Sequence, residues 1–227
     1  EILSERIGND GRIMLSLLEF ERSLRQPTPD RAANAVRNAI LRRLRGLRHR
    51  ARHILDWNIR NAQPIIFRSL VPGFNVVQLF GLTEVEKRIV VNAVVRAVSE
   101  GLMRHQRDID RVVIVMDELN KYAPKRYSAV KEQLIEIVAR GRDLKLSLIG
   151  AQQFASEIDK QVYGNTSTKI VGVTDRAELK SEIYAYLGKL RDHADKLEKG
   201  ELISYHPLYT TPVIIRFPAP YSVILEE

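Results

Sequence analysis

The feature that most constrains the fold is a run of five apolar residues, Val112–Met116, that ends on two adjacent carboxylates, Asp117 and Glu118. Four of the five apolar residues are β-branched, which favours a strand. Because no polar residue alternates with them, both faces of this strand should be covered, as in a parallel sheet packed between helices. Functional groups in such sheets gather at the carboxyl ends of the strands. The sequence therefore predicts a functional edge at Asp117 and Glu118.

The chain after about residue 73 alternates between strand and helix patterns. Strands are predicted over 74–82, 144–153 and 167–173, and helices over 83–102, 127–139 and 176–188. Thr83 and Glu86 have the spacing of a capping box at the start of the first of these helices. Segments 200–206 and 211–218 predict a closing hairpin or edge pair. This alternation predicts an α/β fold with a mostly parallel sheet flanked by helices.

The first third of the chain has a helical pattern and a strong basic charge. A helix is predicted over 12–25, and after a break with two prolines Asp30 is the predicted N-cap of a long helix over 31–55, which carries Arg45 and Arg48. Residues 1–70 contain fourteen Arg and no Lys against seven acidic residues, so nearly all of the net charge of +8 lies there. Two interpretations stay open: a surface that binds a polyanion such as nucleic acid, or an Arg-rich helix that faces solvent.

Composition excludes several classes of function. The chain has no Cys, which rules out disulfides, thiolate metal sites and thiol nucleophiles. No apolar run reaches the ~18–20 residues of a membrane span, and the first residues lack the layout of a signal peptide. We expect a cytoplasmic protein without membrane contact.

The residue types at the end of the 112–116 strand suit nucleotide hydrolysis. Asp117 has the hard oxygen ligands that Mg²⁺ prefers, and could hold the ion through its water shell. Glu118 could polarise an attacking water as a general base. The alternative is that Asp117 only caps a following helix.

Polar residues also flank the next predicted strand. Arg140 and Arg142 precede it, and a Gln could sense a γ-phosphate from the position after it, where Gln152 and Gln153 lie. A guanidinium is permanently charged and forks onto phosphate oxygens, so either Arg suits a finger that reaches a phosphoryl group. The alternatives are an Arg that complements a helix dipole and a Gln that faces solvent from a loop.

The order of these motifs resembles a known family. A strand followed by "VMDELNKYAPK", a helix, "ARGRDLKLSLIGAQQFASEID" and "NTSTKIVGVTDRAELKSEIYAYLG" is similar to the second half of the RecA-like ATPase core of the HerA/FtsK superfamily, in particular its HerA branch of hexameric DNA translocases. The similarity covers about residues 73–220. It implies ATP and Mg²⁺ as cofactors, with Asp117 as the Mg²⁺ ligand, Glu118 as the catalytic base and Gln152 as the sensor. It also implies Arg142 as a finger that acts on a neighbouring subunit, with Arg140 as the fallback.

Two departures from the family pattern stand out. Asn120 occupies a position where His is common, and no GxxxxGK[ST] phosphate-binding loop occurs among the twelve glycines. The resemblance implies that this loop, and an N-terminal β-barrel domain, lie upstream of residue 1. Residues 1–70 then correspond to a helical insertion, 71–210 to the second half of the core, and 211–227 to a C-terminal strand and extension.

The resemblance implies a homohexameric motor that moves double-stranded DNA through a central pore, as a translocase or helicase. Lys121, Lys125 and Arg126 could touch DNA phosphates from the loop after the Asp117 strand, or simply face solvent. Members of the family work with a nuclease of the NurA type or another effector, in DNA-end processing or phage defence. The alternatives are a DNA-pumping ATPase of the conjugation or secretion type, and a basic nucleic-acid-binding adaptor that cannot bind nucleotide.

Overall fold

A computed structural model describes residues 22, 24, 25, 30–51, 54, 70–105 and 110–218. The described residues belong to two units, Glu1–Arg104 and His105–Glu227. The predicted helix over 12–25 lies almost wholly outside the described residues, and so does most of the predicted 211–227 extension beyond residue 218. The predicted domain boundary near residue 70 stays a prediction.

The basic helix of the first unit, α1, spans Arg31–Arg50. Asp30 caps it as predicted, because its carboxylate accepts the Ala32 N–H at 2.9 Å. The helix ends earlier than the predicted residue 55: Ala51 leaves the helical conformation at φ −129°, and its N–H still bonds to the Leu47 carbonyl. The sequence pattern therefore predicted where this helix begins, but not where it ends.

Residues 74–82 do not form the predicted strand. Phe74 is fully exposed, and Val76 and Phe80 expose 89% and 90% of their surfaces. Instead of entering a strand ladder, Asn75 closes a local loop, since its side chain bonds to both the N–H and the carbonyl of Val71, at 3.0 and 2.8 Å. Asn side chains compete with regular structure in this way. The apolar pattern of residues 74–82 is typical of a strand, but no described segment pairs with these residues.

The second helix, α2, spans Glu84–His105 and begins with the predicted capping box. The Glu86 carboxylate accepts the Thr83 N–H at 2.9 Å, and the Thr83 hydroxyl accepts the Glu86 N–H at 3.3 Å. These reciprocal bonds satisfy backbone donors at the helix start that have no partner within the helix. No helix in the described ranges is both long and apolar enough to cross a membrane.

The second unit is built on a parallel strand pair with a helical crossover, which confirms the α/β prediction. β1 (Val112–Met116) pairs in parallel with β2 (Leu146–Gly150), in a register that sets Val112 opposite Leu146 and Met116 opposite Gly150. Between them the chain forms the short helix α3 (Leu119–Tyr122) and then α4 (Ala129–Arg140), which packs against β2.

The two faces of this strand pair differ in burial. α4 buries Val130, Leu134 and Ile137. The strand side chains that remain exposed share the other face, because side chains alternate along a strand; they are Val113, Val115 and Ile149. The expectation that both faces are covered therefore holds for one face of the described pair.

The remaining strands form an antiparallel sheet in the order β3–β4–β5, comprising Lys169–Val171, Glu201–Tyr205 and Val213–Arg216. The predicted closing hairpin, β4 and β5, is confirmed. β3 differs from expectation, since it pairs antiparallel with β4 instead of extending the parallel sheet. Val171 of β3 shares one core with residues of the following segment and of β4, which include Leu179, Tyr184, Leu187 and Ile203.

The predicted helix over 176–188 is broken into two parts. α6 is a single turn, Arg176–Leu179, and a 3₁₀ segment covers Glu182–His193 with a non-helical residue, Gly188, at φ 54°. Arg191 donates to the carbonyls of Leu179 and Ser181, so a side chain satisfies the acceptors that a continuous helix would have used. Two further helical elements precede this region, the 3₁₀ turn Ala155–Glu157 and α5 (Lys160–Asn165).

The turn between α4 and β2 depends on Gly141. A Cβ at this position would lie 2.2 Å from the Leu146 carbonyl oxygen and 2.5 Å from the Ile137 carbonyl oxygen, and both are backbone atoms that cannot rotate away. We therefore expect Gly141→Ala to lower the free energy of unfolding by about 1–3 kcal/mol, the usual effect of overpacking. Urea denaturation measures the change.

The matched control is Gly164→Ala within α5, where a Cβ would meet nothing within 4 Å. This change should be neutral or stabilise by up to about 1 kcal/mol, because Ala favours a helix over Gly. Equal stability of the Gly141→Ala variant and the wild type would contradict the packing argument.

Candidate functional site

The candidate site lies at the carboxyl edge of the β1–β2 pair. Backbone pairing continues past the ends of the strands: Ala151 N–H donates to the Met116 carbonyl at 2.9 Å, and Leu119 N–H donates to the Ala151 carbonyl at 3.0 Å. Gln152 directly follows Ala151. The pairing therefore brings Gln152 to the same edge as Asp117 and Glu118, as the order of motifs predicts.

Asp117 and Glu118 are both exposed and adopt a constrained turn. The Asp117 Oδ1 atom accepts the Glu118 N–H at 2.9 Å. Glu118 has φ 52° and ψ 46°, and it occupies the N-cap position of α3 without making a side-chain capping bond. The alternative interpretation, in which Asp117 caps the following helix, is therefore not what the structure shows. Both carboxylates are exposed at the strand end, and the Asp117 carboxylate bonds to the N-cap residue Glu118 itself.

The left-handed backbone of Glu118 is unusual for a residue with a side chain. Among the described residues, positive φ outside glycine occurs at Glu118 and at Lys145. This conformation costs about 1–2 kcal/mol for an L-residue. Such strain persists where the surrounding structure imposes it, and it is frequent at functional sites. Here the bonds of Asp117 and Leu119 hold the backbone on either side of Glu118.

Lys121 contacts the carboxylate of Glu118 in this structure. Its ammonium lies 2.5 Å from the Glu118 Oε2 atom, one helical turn away, and both side chains are exposed. An exposed pair of this kind contributes at most about 1 kcal/mol and is screened by salt. Lys121 therefore reaches the predicted base, whereas its predicted contact with DNA phosphate stays a prediction.

Gln152 presents a polar atom that lacks a partner. Its side chain is half-buried, and its Oε1 atom is buried without a hydrogen bond from any described residue. A buried acceptor without a donor costs about 1–3 kcal/mol. Because this oxygen is buried, the Gln152 side chain must rotate before the oxygen can accept a hydrogen bond from a water or a ligand at the edge. Gln153, beside it, is exposed.

Arg140 and Arg142 lie at the opposite end of the strands. Arg140 ends α4, and Arg142 belongs to the turn that leads into the amino end of β2. Both are exposed, and Arg140 makes only a long contact of 3.8 Å with Glu136. Five strand residues span about 16 Å. Within one chain, these guanidiniums therefore do not share an edge with Asp117 and Glu118.

The other predicted nucleic-acid contacts are placed as follows. Lys125 and Arg126 are exposed in the loop between α3 and α4. Arg45 is exposed on α1, and the side chain of Arg48 lies outside the described residues. These four residues therefore lie on other segments of the chain than Gln152, which follows β2.

An ion pair that the sequence patterns did not predict lies beside this edge. Lys131 on α4 is only 7% exposed, and its ammonium lies 3.1 Å from the Asp159 Oδ2 atom. Asp159 also accepts the Gln161 N–H at 2.9 Å and so caps α5. The sequence did contain an indication of this pair. Lys131 lies three residues before Leu134, which places it on the same, buried face of the helix. A charged residue at such a position usually has a buried partner.

The donor set fits Mg²⁺ only in combination with a ligand. The described ranges contain no group of three or more His, Asp or Glu side chains that could hold a metal ion. One exposed carboxylate with one oxygen already accepting an N–H is, however, a normal protein contribution to a Mg²⁺ that is mainly bound by phosphates and water. Asp117 could hold the ion together with a nucleotide, but not alone.

Comparisons with known proteins find weak similarities. No protein-family profile matches the chain. Among curated proteins, a chloroplastic pentatricopeptide repeat-containing protein of Arabidopsis thaliana is 40% identical over 79 residues, which is 34% of this chain and 9% of that protein. The chain therefore spans less than a tenth of that relative.

Among solved structures, the DNA-packaging ATPase B204 of Sulfolobus turreted icosahedral virus aligns with 78% of this chain and 92% of its own, at a TM-score of 0.47 and 16% identity. The genome-packaging NTPase B204 of Sulfolobus turreted icosahedral virus 2, in complex with sulfate, aligns with 59% of this chain and 63% of its own, at a TM-score of 0.46 and 18% identity. The chain thus spans a little under two thirds of this second protein. The chain resembles these proteins without being assigned to their family.

Ala usually makes a protein more stable than Gly at the same position. At Glu118 we expect the reverse, because its backbone is strained. Glu118→Gly and Glu118→Ala both remove the Lys121 contact, so their difference isolates the backbone. We expect the Gly variant to be more stable than the Ala variant by about 1 kcal/mol, because Gly adopts positive φ without a Cβ clash. Chemical denaturation of both variants measures the difference.

The control is the same pair of substitutions at Asp117, whose φ is not positive. There the Ala variant should be at least as stable as the Gly variant. The same order at both positions would argue against strain at Glu118.

Proposed function

We propose that this chain supplies the hydrolytic half of an ATP-driven motor that translocates double-stranded DNA, of the HerA type. The observation that supports the proposal is the convergence of two exposed carboxylates, Asp117 and Glu118, with the half-buried amide of Gln152 at one edge of a parallel strand pair. An acid for a metal, a base for water and an amide sensor are the parts that act on a γ-phosphate.

Each residue has a distinct role in the proposal. Bound Mg²⁺ would neutralise charge on the phosphates, and Asp117 would hold it through water. Glu118 accepts a proton from the attacking water, and its carboxylate is exposed at the end of β1. The unpartnered Oε1 atom of Gln152 accepts a hydrogen bond from the same water and orients it. Lys121 must release Glu118 before that carboxylate acts as a base.

The proposal assigns the remaining parts to other segments and subunits. No GxxxxGK[ST] phosphate-binding loop occurs in these 227 residues, and the proposal assigns that loop to another segment. Arg142, or Arg140, lies at the far end of the strands and therefore suits a phosphoryl group bound by a neighbouring copy. That arrangement supports a ring, which we propose is a homohexamer around DNA that works with a nuclease partner.

Glu118→Gln tests the catalytic assignment. In the full-length natural protein we expect it to lower the rate of DNA-stimulated ATP hydrolysis at least about 100-fold, because the amide cannot accept the proton. Nucleotide binding should be retained, since the side chain keeps its size. Glu132→Gln on the exposed side of α4 is the matched control and should leave both properties unchanged.

Two outcomes would contradict the assignment. Unchanged hydrolysis in the Glu118→Gln variant would remove Glu118 from the mechanism. A wild-type protein that binds DNA but neither binds nor hydrolyses ATP would favour the second candidate, a nucleotide-incompetent basic adaptor. The Lys121–Glu118 contact, which neutralises the proposed base, is the observation that favours this candidate.

The exposed cations Lys125 and Arg126 provide a separate test of DNA binding. The double variant Lys125→Ala/Arg126→Ala should bind double-stranded DNA more weakly, with the salt slope of log K reduced by about 2, because two phosphate contacts are lost. Fluorescence anisotropy over a series of salt concentrations measures the slope.

A double variant of equal charge, Lys196→Ala/Lys199→Ala, is the control, since both side chains are also exposed. Equal effects of the two double variants would mean a general charge effect. An unchanged slope in the first would move the DNA contact elsewhere, with Arg-rich α1 as the next candidate.

A further inference from the structure

We propose that Lys131 and Asp159 are positioning residues, whose buried ion pair fixes the loop that carries Gln152 against the loop that carries Asp117 and Glu118. This inference rests on the proposed function, because the role of the pair is to place Gln152 for hydrolysis.

Lys131 is placed to join the two loops. It extends from the first turns of α4, and its ammonium donates to the Asp159 carboxylate at 3.1 Å and lies 3.4 Å from the Lys125 carbonyl. Lys125 belongs to the loop that follows β1, and Asp159 to the loop that follows β2. One buried cation therefore contacts both connections at the carboxyl side of the strand pair.

The same two loops are joined at two further points. One is an antiparallel bridge between Pro124 and Ile158, in which the Asp159 N–H donates to the Ala123 carbonyl at 2.9 Å. The Asn120 amide donates to the Glu157 carboxylate at 2.7 Å, so the residue that departs from the family pattern is also part of the connection.

These contacts enclose Gln152 between two fixed points. At one end, the bonds of Ala151 hold the chain to β1 and α3. At the other end, Glu157, Ile158 and Asp159 are held to the loop after β1. The segment that carries Gln152 is therefore attached at both ends, and the Lys131–Asp159 ion pair belongs to the second attachment.

The energetics of a buried pair suit this positioning role. Burial raises the pKa of Asp159, but the Gln161 N–H and the Lys131 ammonium outweigh it and leave the pKa below its usual value. The carboxylate therefore stays charged near neutral pH. A buried ion pair adds little net stability compared with apolar residues of similar volume, whereas loss of one partner leaves an uncompensated charge. Its main effect is to select one geometry of the two loops.

The test compares three variants of the full-length protein. Lys131→Met keeps the length of the side chain and removes its charge, and Lys131→Arg keeps the charge. Asp159→Asn keeps an acceptor for the Gln161 N–H. In Lys131→Met and Asp159→Asn we expect the kcat for ATP hydrolysis to fall about 10-fold with KM for ATP changed less than about 2-fold, because a displaced sensor affects the chemical step more than binding. Lys131→Arg should recover most of the activity.

Two further readouts distinguish positioning from a general loss of structure. The Asp159 amide should exchange with deuterium faster in Lys131→Met, whereas amides within β1 and β2 should not. The double variant Lys131→Met/Asp159→Asn should have a kcat no lower than that of either single variant, because the two substitutions remove the same interaction. Lys160→Met, an exposed neighbour on α5, is the matched control and should behave as the wild type.

The outcomes separate this inference from the proposed function. An active wild type whose Lys131→Met variant loses thermal stability but keeps kcat would overturn the positioning role and leave the proposed function intact. A drop in kcat that Lys131→Arg does not recover, with no local change in exchange, would also overturn it. A wild type that hydrolyses no ATP would overturn the proposed function and this inference together.

Discussion

The candidate site depends on the close approach of β1 and β2 at their carboxyl ends. A Cβ on Gly150 would lie 2.3 Å from Leu119 Cδ2 and 3.2 Å from Leu119 Cγ, so glycine at this position lets the Leu119 side chain of α3 pack directly over the end of β2. In that position the Leu119 N–H donates to the Ala151 carbonyl. Because the bond spans the two strand ends, the residues before and after it, Glu118 and Gln152, become neighbours. The chemistry proposed for this edge is a consequence of a backbone contact.

Charge is distributed around this edge in two layers that differ in burial. The outer layer, Glu118 with Lys121, is exposed and easily broken. The inner layer is Lys131, which is buried, with Asp159, which is 17% exposed, and additional hydrogen bonds fix it. An exposed pair can exchange partners during a reaction cycle, whereas a buried one cannot do so without leaving a charge unpaired. The arrangement thus combines a movable contact on the proposed base with a rigid one behind the proposed sensor.

Sequence patterns predicted the features that depend on neighbouring residues. The apolar run of β1, the Asp30 cap and the Thr83–Glu86 capping box are local, and the structure confirms them. The ordering of Asp117 and Gln152 at one edge followed from the rule that parallel strands end together. The catalytic roles of these residues stay predictions.

Features that depend on tertiary partners were not predictable in the same way. Segment 74–82 has the composition of a strand, but a strand also needs a neighbour, and Asn75 satisfies the backbone locally instead. The predicted helix over 176–188 is interrupted after Leu179, and the Arg191 side chain donates to the Leu179 and Ser181 carbonyls at the break. The direction of β3 was set by the core it shares with the residues that follow it. The Lys131–Asp159 pair joins residues 28 positions apart, beyond the reach of any periodic pattern.

The strand pair also constrains how a complete site would be assembled. Its carboxyl edge carries the acids and the amide, and its amino edge carries Arg140 and Arg142, about 16 Å away for strands of five residues. A guanidinium stabilises a transferring phosphoryl group only in direct contact with it. One chain therefore cannot bring an Arg from the amino edge to a phosphate held at its own carboxyl edge while the strands stay paired. If these Arg residues are fingers, each site must combine the carboxyl edge of one copy with the amino edge of the next, and only a closed ring would complete every site.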